Sequence, residues 1–374
     1  MLISFNFILQ KDESNMNIND IKKYIKDFQN IEENQRSKLL IVLVANVDGE
    51  TQNYDDYQNT SVLSEYYTLD EYENLSVSLK KLGYEVISYF NETDFIDAII
   101  NNKINRLRKK ILVINSAQTG TYIGRKSLIP AFCEHFKIMY TGSNPYVVSL
   151  CRDKFHSNAI LNNYLQNPMP TYLYSYAHGW IDNKSPQEGE KIIVKLNGES
   201  ASIGLTKENV FIYYSDADIW LKNLSKKYNQ PIIAQPFISG YEVELPIIVG
   251  KESIPLFAVG IKINNSEKIA DNFLDYSIRF SHLYDFYNYD NYNIDIAGKM
   301  KKDSQKAVKI LGIEGFGRVD YRIDCSGRYY ISDIATNPHI TNDSSYYFVF
   351  HKLGYSYSEF LSTLIGVTLS KYIS

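Results

Sequence analysis

The chain has 374 residues, of which 44% are hydrophobic, and its formal net charge is -4 at neutral pH. This length exceeds one ordinary hydrophobic core and predicts two or three domains. The acidic balance argues against binding to nucleic acid or to a membrane surface, because both partners are polyanions that require a basic surface. Small-molecule chemistry is the class of function that remains favoured.

The cysteines and the apolar runs indicate a soluble, cytoplasmic protein. The longest apolar run, residues 39–45, is far shorter than the roughly 20 residues that span a bilayer. The start of the chain has no basic region ahead of its apolar residues, so it does not resemble a secretory signal. Three cysteines without metal-ligand spacing fit a reduced compartment and argue against structural zinc: Cys133, Cys151 and Cys325.

The first part of the chain alternates between strand and helix patterns. Residues 1–37 are predicted to form an N-terminal extension with one modest helix. Residues 38–144 then begin with the apolar strand KLLIVLVANV (38–47), the periodic helix YTLDEYENLSVSLKKLG (67–83) and the strand YEVISYF (84–90). This βαβ pattern continues to residue 144 and predicts a doubly wound, open α/β domain.

The rest of the chain predicts two further lobes. Residues 145–235 begin with one helical segment (145–167) and continue as a small α+β central lobe. Residues 236–374 predict an α+β C-terminal lobe with several strands, a helix that ends near Gly312, a hairpin and a terminal helix. Within this lobe the low-complexity stretch DFYNYDNYN (285–293) is predicted to be a flexible loop.

The stretch GRVDYRIDCSGRYYISDIATNP (317–338) predicts a β-hairpin with a four-residue loop. A constant register then gives three opposed pairs, Ile323 with Arg328, Arg318 with Asp333, and Asp320 with Ile331. Arg318, Asp320 and Asp333 would share one face, where the two carboxylates could bridge a divalent cation. The alternative is a surface hairpin in which Arg318 pairs with Asp333 and Asp320 is solvated.

A second candidate site is the loop in VKLNGESASIGL (194–205), to which an apolar strand delivers Lys195. Small residues let backbone N–H groups approach phosphate oxygens, and a lysine adds a point charge. The loop lacks the G-K-[ST] of a Walker A loop, and no GxGxxG follows the first strand. A plain turn between strands is the alternative interpretation.

These features occur in the order used by ATP-grasp enzymes, and from residue 38 to about 350 the chain resembles that superfamily. Within it the chain looks most like the D-alanine:D-alanine ligases. The resemblance rests on NSAQTGTYIG with the following Tyr-Thr-Gly and Asp-Lys, on VKLNGESASIGL, and on GRVD…SDIATNPHIT. It implies an α/β ATP-grasp fold in which ATP lies between the central and C-terminal lobes.

The resemblance also implies a set of site residues. Arg318 would stabilise negative charge on the acyl phosphate and the tetrahedral intermediate, and Asp320 and Asp333 would hold Mg²⁺, with Mn²⁺ as an alternative. His339, Ser344 and Ser345 would contact the substrate. The positions implied to bind ATP are Lys154, Lys195, Glu199, Ser200, Ser202, Gln235, Phe237, Ile238, Glu242 and Arg279.

Several positions depart from the family pattern. Asp333 is shorter than the family's glutamate, and Ala335 replaces a metal-binding asparagine. A polar lid latch is expected to be missing, and a bulkier side chain is expected at the acceptor, because of Ala201 for serine, Arg279 and Phe280 for lysine and tyrosine, and His339 for glycine. The family's N-terminal substrate-binding glutamate has two candidates, Glu50 and Glu65.

The sequence therefore predicts an ADP-forming carboxylate–amine ligase that acts through an acyl phosphate, with ATP and amino-acid or short-peptide substrates other than two D-alanines. A true D-alanine:D-alanine ligase and a nucleotide-binding protein without ligase activity are the alternatives. No nucleic-acid or membrane partner is expected, and a homodimer is left open.

Overall fold

The computed structural model describes residues 16–104 and 108–373, which form three β-sheets with helices packed against them. Residues 1–15 of the predicted N-terminal extension lie outside the described residues. Within the described ranges, no helix is long and apolar enough to cross a lipid bilayer. One sheet is parallel and two are antiparallel, which confirms the predicted α/β class.

The first lobe contains four strands and four helices: β1 (Leu39–Val44), β2 (Glu85–Tyr89), β3 (Lys110–Asn115), β4 (Met139–Tyr140), α1 (Ile18–Gln35), α2 (Leu69–Lys81), α3 (Glu92–Ile100) and α4 (Leu128–His135). The strands form a parallel sheet in the order β2-β1-β3-β4. All six residues of β1 are buried, because side chains of one parity pack with α1 and α2 and those of the other with α3 and α4. The doubly wound arrangement predicted for this region is confirmed.

The predicted helix at 67–83 is also confirmed, and its ends have local causes. The Thr68 hydroxyl accepts a hydrogen bond from the Glu71 N–H at 3.2 Å, and the Glu71 carboxylate accepts one from the Thr68 N–H at 2.7 Å. This capping box satisfies N–H groups that the first turn leaves without partners. Gly83 follows the helix at φ 94°, a left-handed conformation that glycine adopts without steric cost.

The second lobe is an antiparallel sheet that follows two short helices. Its elements are α5 (Pro145–Arg152), α6 (Lys154–Leu161), β5 (Tyr172–Ser175), β6 (Gly179–Trp180), β7 (Lys191–Leu196), β8 (Val210–Ile212), α7 (Asp218–Lys227) and β9 (Ile232–Pro236). The strand order is β6-β5-β9-β7-β8. The loop after β7 faces the cleft described below.

The single helical segment predicted at 145–167 is wrong, because the helix breaks at Asp153. Asp153 has an extended ψ of 96°, and its carboxylate accepts a hydrogen bond from the His156 N–H at 3.0 Å, so it caps a new helix. The break makes Lys154 the first residue of α6. The Lys154 N–H donates to the Asn197 carbonyl at 3.2 Å, which holds this lysine against the loop after β7.

The third lobe has six strands and four helices: β10 (Gly240–Val249), β11 (Ser253–Pro255), β12 (Val259–Ile263), α8 (Tyr276–Phe280), β13 (Tyr284–Asn288), α9 (Ile294–Leu311), β14 (Gly315–Asp324), β15 (Tyr329–Ala335), α10 (Ser345–Lys352) and α11 (Tyr357–Ser370). Its antiparallel sheet runs β13-β12-β10-β14-β15, and β11 pairs with β10. As predicted, the helix before the hairpin ends at Gly312, which has a φ of 74°.

The hairpin β14–β15 forms, but the predicted register is wrong by two residues at its open end. The Asp324 carboxylate accepts hydrogen bonds from the N–H groups of Ser326 and Arg328, so Arg328 belongs to the turn and Ile323 pairs with Tyr329. A bulge that leaves Ser332 unpaired adds a second one-residue shift. Two shifts restore the side-chain parity, and Asp320 lies directly opposite Asp333.

The flexible loop predicted at 285–293 is also wrong. Residues 285–288 belong to β13, and Tyr289 is buried against Tyr241 and Tyr292. The Asp290 carboxylate accepts a hydrogen bond from the Ala258 N–H at 2.9 Å. The low-complexity stretch is therefore ordered because its tyrosines provide apolar area that can be buried.

Helix α1 packs against α11 and joins the core of the first lobe. The two backbones approach so closely that a Cβ atom at Gly366 would lie 2.0 Å from the Phe28 carbonyl oxygen. The fully buried Glu32 carboxylate pairs with Arg36 at 2.6 Å and accepts hydrogen bonds from Ser362 and Tyr84.

The predicted division of the chain at residues 37, 144 and 235 stays a prediction.

Candidate active site

Three adjoining cavities lie where the lobes meet. The central cavity has a volume of about 170 Å³ and is lined from all three lobes. An apolar cavity of about 70 Å³ shares Lys195 and Glu242 with it. An outer cavity of about 160 Å³ shares Arg279, Arg318 and His339 with it. A larger cavity of about 820 Å³ lies elsewhere and is lined by none of the predicted site residues.

The central cavity contains the opposed carboxylates of the hairpin. Arg318 Nε and Nη2 donate to the two oxygens of Asp320 at 2.7 and 2.8 Å, and Arg318 Nη1 lies 3.0 Å from Glu244 Oε2. The alternative surface hairpin is therefore wrong, because Arg318 pairs with Asp320 rather than Asp333 and the Asp320 side chain is only 15% exposed. Burial and the neighbouring Glu244 and Asp333 raise the pKa of Asp320 to about 7, against the opposing effect of Arg318.

Two lysines converge on the other carboxylate. Lys154 Nζ donates to both oxygens of Asp333 at 3.1 and 3.2 Å. Burial alone would raise the pKa of Asp333, but Lys154 and Lys195 outweigh it and hold the pKa below its ordinary value. Lys195 Nζ lies 3.4 Å from the carbonyl oxygen of Ser332, the residue that the bulge leaves unpaired. Burial lowers the pKa of Lys195.

The loop after β7 has an unusual backbone. Ala201 and Ser202 adopt left-handed φ angles of 51° and 58°, which cost roughly 1–2 kcal/mol each for residues with a Cβ atom. The Ser202 hydroxyl donates to the Leu274 carbonyl at 2.6 Å, and the Tyr276 N–H donates to the Leu205 carbonyl at 3.0 Å. In place of the polar latch that was expected to be missing at Ala201, Arg279 and Phe280, hydrogen bonds to Leu274 and Tyr276 hold this loop against the segment that contains Arg279 and Phe280.

The apolar cavity is lined by four of the residues predicted to bind ATP, Gln235, Phe237, Ile238 and Glu242. The Gln235 amide donates to the Thr171 hydroxyl at 3.0 Å, and the Phe237 ring packs edge-on against Phe273. Arg322 holds two residues of this cavity in place, because it pairs with the Glu242 carboxylate at 3.0 Å and donates a hydrogen bond to the Ile238 carbonyl at 2.7 Å.

The outer cavity brings His339, Ser344 and Ser345 together with Arg318. Burial, with the nearby Arg279 and Lys126, lowers the pKa of His339 to about 3, so its imidazole is neutral at physiological pH. Ser344 caps α10 through the Tyr347 N–H at 3.2 Å. Phe280 lines the same cavity, is 54% exposed and stacks on Tyr276.

The inner end of the central cavity is formed by a cluster of buried ion pairs. Arg125 lies 3.0 Å from Glu65 and 2.7 Å from Glu199, and Arg152 lies 3.1 Å from each of these carboxylates. The Ser200 hydroxyl donates to Glu65. Two residues predicted to bind ATP, Glu199 and Ser200, are therefore held in this cluster as well as lining the cavity.

The structure also separates the two candidates for the substrate-binding glutamate. Glu65 lines the central cavity, whereas Glu50 is exposed in a turn and lines none of the three cavities. Although burial opposes it, Arg152 and Arg125 hold the pKa of Glu65 well below its ordinary value, so Glu65 is ionised.

Sequence reasoning missed several residues that line or support the cavities: Lys126, Arg125, Arg152, Glu244 and Arg322. Two of them could have been found from the sequence. Arg322 lies two residues after Asp320, and Glu244 lies two residues after Glu242. Residues at this spacing share one face of a strand. The other three lie on loops and helices of the first and second lobes, where no local pattern identifies them.

The donor set fits magnesium. Asp320 and Asp333 offer carboxylate oxygens on one face, and Mg²⁺ is usually bound by one or two carboxylates together with phosphate oxygens and water. In the described part of the chain, no group of three or more His, Cys, Asp or Glu side chains is arranged to hold a metal. A metal that takes its remaining ligands from a nucleotide therefore suits this pair better than one that needs a complete protein cage.

Comparison with known proteins identifies the family. Residues 177–366, just over half of the chain, match the family described as D-ala D-ala ligase C-terminus. The chain is 26% identical over 297 residues to the D-alanine–D-alanine ligase of Pseudothermotoga lettingae, with 78% of this chain and 91% of that protein covered. It is 28% identical over 278 residues to the enzyme of Thermotoga petrophila, with 73% and 82% covered.

Solved structures agree on the fold. The D-alanine–D-alanine ligase of Bacillus anthracis complexed with ATP superimposes with a TM-score of 0.63 at 18% identity, covering 90% of this chain and all of that one. The VanG D-Ala:D-Ser ligase of Enterococcus faecalis gives 0.60 at 16% identity, covering 89% and 99%. The predicted ATP-grasp fold is thus confirmed, and the chain belongs to the D-alanine–D-alanine ligase family of ATP-dependent ligases.

Proposed function

We propose that this protein is an ADP-forming ligase that joins a carboxylate to an amine, with amino-acid or short-peptide substrates other than two D-alanines. The observation that carries the proposal is the convergence of Lys154, Lys195, Arg318 and the Asp320–Asp333 pair on one cavity. Family membership supports the use of ATP and Mg²⁺. No protein nucleophile is required, since positioning and charge stabilisation suffice for phosphoryl and acyl transfer.

The reaction proceeds in two displacements. An oxygen of the donor carboxylate attacks the γ-phosphorus of ATP, the bond from that phosphorus to the ADP oxygen breaks, and ADP leaves. The acceptor nitrogen then attacks the carbonyl carbon of the acyl phosphate, the bond from that carbon to the phosphate oxygen breaks, and the amine proton passes to solvent. Both transition states accumulate negative charge on oxygen, which preorganised cations stabilise.

The chain supplies those cations at defined places. Lys154 and Lys195 lie between the loop after β7 and Asp333, where they would contact ATP phosphates. Arg318 lies at the junction of the central and outer cavities, where it would stabilise negative charge on the acyl phosphate and the tetrahedral intermediate. Mg²⁺ held by Asp320 and Asp333 would neutralise phosphate charge when ATP is bound.

The apolar cavity is the proposed site for adenine and ribose. Phe237 and Ile238 line it, and Glu242 lies at its boundary with the central cavity, where it can accept a ribose hydroxyl. The Glu242 carboxylate is held in place by Arg322. An ordered acceptor of this kind loses little side-chain entropy when the nucleotide binds.

The acceptor site is proposed to disfavour D-alanine. Ala201 and Phe280 cannot form the side-chain hydrogen bonds of a serine and a tyrosine, and the neutral His339 imidazole adds volume between the central and outer cavities. Leaving a buried polar group of a misfit substrate unpaired costs about 1–3 kcal/mol. The D-Ala:D-Ser ligase among the structural neighbours indicates that acceptors differ within this fold.

The test is phosphate release and product mass with ATP, Mg²⁺ and a panel of D- and L-amino acids and dipeptides. We expect ADP-forming turnover with a product other than D-alanyl-D-alanine. D-alanyl-D-alanine as the dominant product would establish the alternative that the curated relatives' names favour. ATP binding without turnover on any pair would establish a nucleotide-binding protein without ligase activity, the alternative suggested by Ala335.

We also propose a cytoplasmic location, which three cysteines without disulfide partners in the described residues support. The proposed division of the chain into 38–144, 145–235 and 236–374 is supported by the assignment of one sheet to each part. A homodimer remains the assembly to test, by light scattering of the purified protein.

A further inference from the structure

The inner end of the central cavity carries an excess of positive charge. Glu65 and Glu199 face Arg125 and Arg152, and all four distances are between 2.7 and 3.1 Å. The side chains of these four residues are at most 4% exposed, so solvent screens them little. Their formal charges cancel.

Lys126 adds a fifth charge to this balanced cluster. It follows Arg125 in the chain and lines the same cavity. Across residues 16–104 and 108–373, the Lys126 side chain has no hydrogen bond or ion pair. Burial and the neighbouring Arg152 lower the pKa of Lys126 to about 8, and the group is still mostly protonated at neutral pH.

The carboxylate that could have received an ammonium group here is already neutralised. Glu65 is the candidate for the family's substrate-binding glutamate, but it faces two guanidinium groups and the Ser200 hydroxyl. A carboxylate in that position has little attraction left for a substrate ammonium. A substrate group that enters this end of the cavity meets Lys126 as the charge without a partner.

We propose that the inner end binds a second anionic group of the donor, so that the donor substrate is a dicarboxylate, such as an acidic amino acid or a peptide that contains one. The inference rests on the proposed ligase function and specifies its donor. One carboxylate is activated beside Asp320 and Asp333, and the other pairs with Lys126. A charge-assisted hydrogen bond in a partly desolvated site is strong enough to select the charged group over its amide.

The remaining explanation is that Lys126 contacts a phosphate of ATP. Lys126 interacts electrostatically with Asp333 as well as with Glu65, Arg125 and Arg152. It is therefore close enough to contact either a donor group or a phosphate of a metal-bound nucleotide. The two assignments differ in which ligand weakens when the charge is removed. The experiment therefore measures nucleotide and donor separately.

Phosphate release should be measured with acid–amide pairs, D- and L-aspartate against asparagine and D- and L-glutamate against glutamine, in the wild type and in Lys126→Met, Lys126→Arg and Lys299→Met. Lys299 is exposed on α9 and serves as the matched control. We expect one acid to have a KM about 10-fold or more below that of its amide, which corresponds to one charge-assisted hydrogen bond. Lys126→Met should remove this preference, Lys126→Arg should largely keep it, and Lys299→Met should not change it.

Calorimetry with a non-hydrolysable ATP analogue and Mg²⁺ supplies a second readout that needs no turnover. Glutarate should bind the wild type and should lose about 10-fold or more in affinity in Lys126→Met, while the affinity for the analogue stays within about twofold. Equal use of acid and amide, no binding of glutarate by the wild type, or a loss of nucleotide affinity in Lys126→Met would each overturn the inference. Turnover without a preference for the acid would overturn this inference but leave the proposed ligase function intact. If no phosphate is released with any substrate, the proposed ligase function itself is contradicted.

Discussion

On the nucleotide side of the cleft, two carboxylates each contact a cation: Glu242 lies 3.0 Å from Arg322, and Asp333 lies 3.1 Å from Lys154. At the inner end of the central cavity, the charges of Glu65, Glu199, Arg125 and Arg152 cancel, and within the described residues Lys126 has no ion pair. The difference has a physical reason, because ATP arrives with a metal that compensates its charge, whereas a donor has to be recognised by whatever charge it carries. Of the departures from the family pattern, Asp333 and Ala335 lie beside the proposed metal, whereas Ala201, Phe280 and His339 lie beside the proposed acceptor site.

The largest effect should come from the residue that serves both sides, Asp320. Asp320→Asn would remove one of the carboxylates proposed to hold Mg²⁺, and the loss of several kcal/mol of charge stabilisation should lower kcat about 100-fold or more with every donor. Melting temperature should change little, because Arg318 keeps its contact with Glu244. Asp295→Asn, on the exposed first turn of α9, is the control. Full ATP-dependent activity in Asp320→Asn would show that the metal assignment is wrong.

The second effect should be confined to the nucleotide side. Lys195→Ala should raise the Kd for ATP about 10- to 100-fold, the range of one hydrogen bond to a charged group. Lys195 is half-buried rather than exposed, but its contact in the structure is a long one to the Ser332 carbonyl, so melting temperature should fall only slightly. Calorimetry of ATP binding checks the prediction. An unchanged Kd would show that the alternative interpretation is correct and that the loop after β7 is a plain turn between strands.

The third effect should be confined to the acceptor. The double variant Ala201→Ser and Phe280→Tyr restores two hydroxyl groups and should raise kcat/KM for D-alanine by about 2- to 10-fold, as expected for one new hydrogen bond. Position 201 has a left-handed φ of 51°, which serine tolerates about as well as alanine. Mass analysis of the product measures the gain, with ATP affinity as the control. No gain would mean that other groups exclude D-alanine.

The smallest effect concerns pH and the inner end of the cavity. The pKa of Lys126 is lowered to about 8, so the ammonium is charged below pH 8 and loses its proton above it. The groups that act on it are Arg152, Glu65, Arg125 and Asp333. The KM for a dicarboxylate donor should therefore rise several-fold between pH 7 and 9. A KM profile that is the same in Lys126→Met would assign the titration to another group.

The elements that a local pattern determines were predictable, such as the helix at 67–83 with its final glycine. The hairpin was predictable in type but not in register, because the Asp324 turn and the bulge at Ser332 each shift the pairing by one residue. Two one-residue shifts return each side chain to its original face of the sheet. The prediction that Asp320 and Asp333 share one face was therefore correct, although the predicted pairing partners were wrong. Lys126 and Arg152 could not be found in this way, because only the packing of three lobes brings them to the cavity.

Asp153 shows why the helix break was also missed. An aspartate inside an apolar helical pattern is compatible with a continuous helix. Asp153 caps α6 by accepting a hydrogen bond from the His156 N–H, and the sequence alone does not show that the backbone leaves the helical conformation at Asp153. The same applies to Tyr289, whose burial depends on Tyr241 of β10 and on Ala258, which are distant in sequence. Predictions from a single sequence fail at such positions because the deciding contacts are tertiary.

The close contact between Phe28 and Gly366 has a consequence for the way the chain acquires its structure during synthesis. One face of the first sheet is covered by α1 and α2, α11 packs against both of these helices, and the Glu32–Ser362 hydrogen bond links residues 330 positions apart. A ribosome that has released the first lobe therefore leaves an apolar face open until the last helix emerges. At about 5–20 residues per second that interval lasts roughly 10–45 s. The nascent chain is therefore a candidate for chaperone capture, and loss of α11 should be a defect of the first lobe as much as of the third.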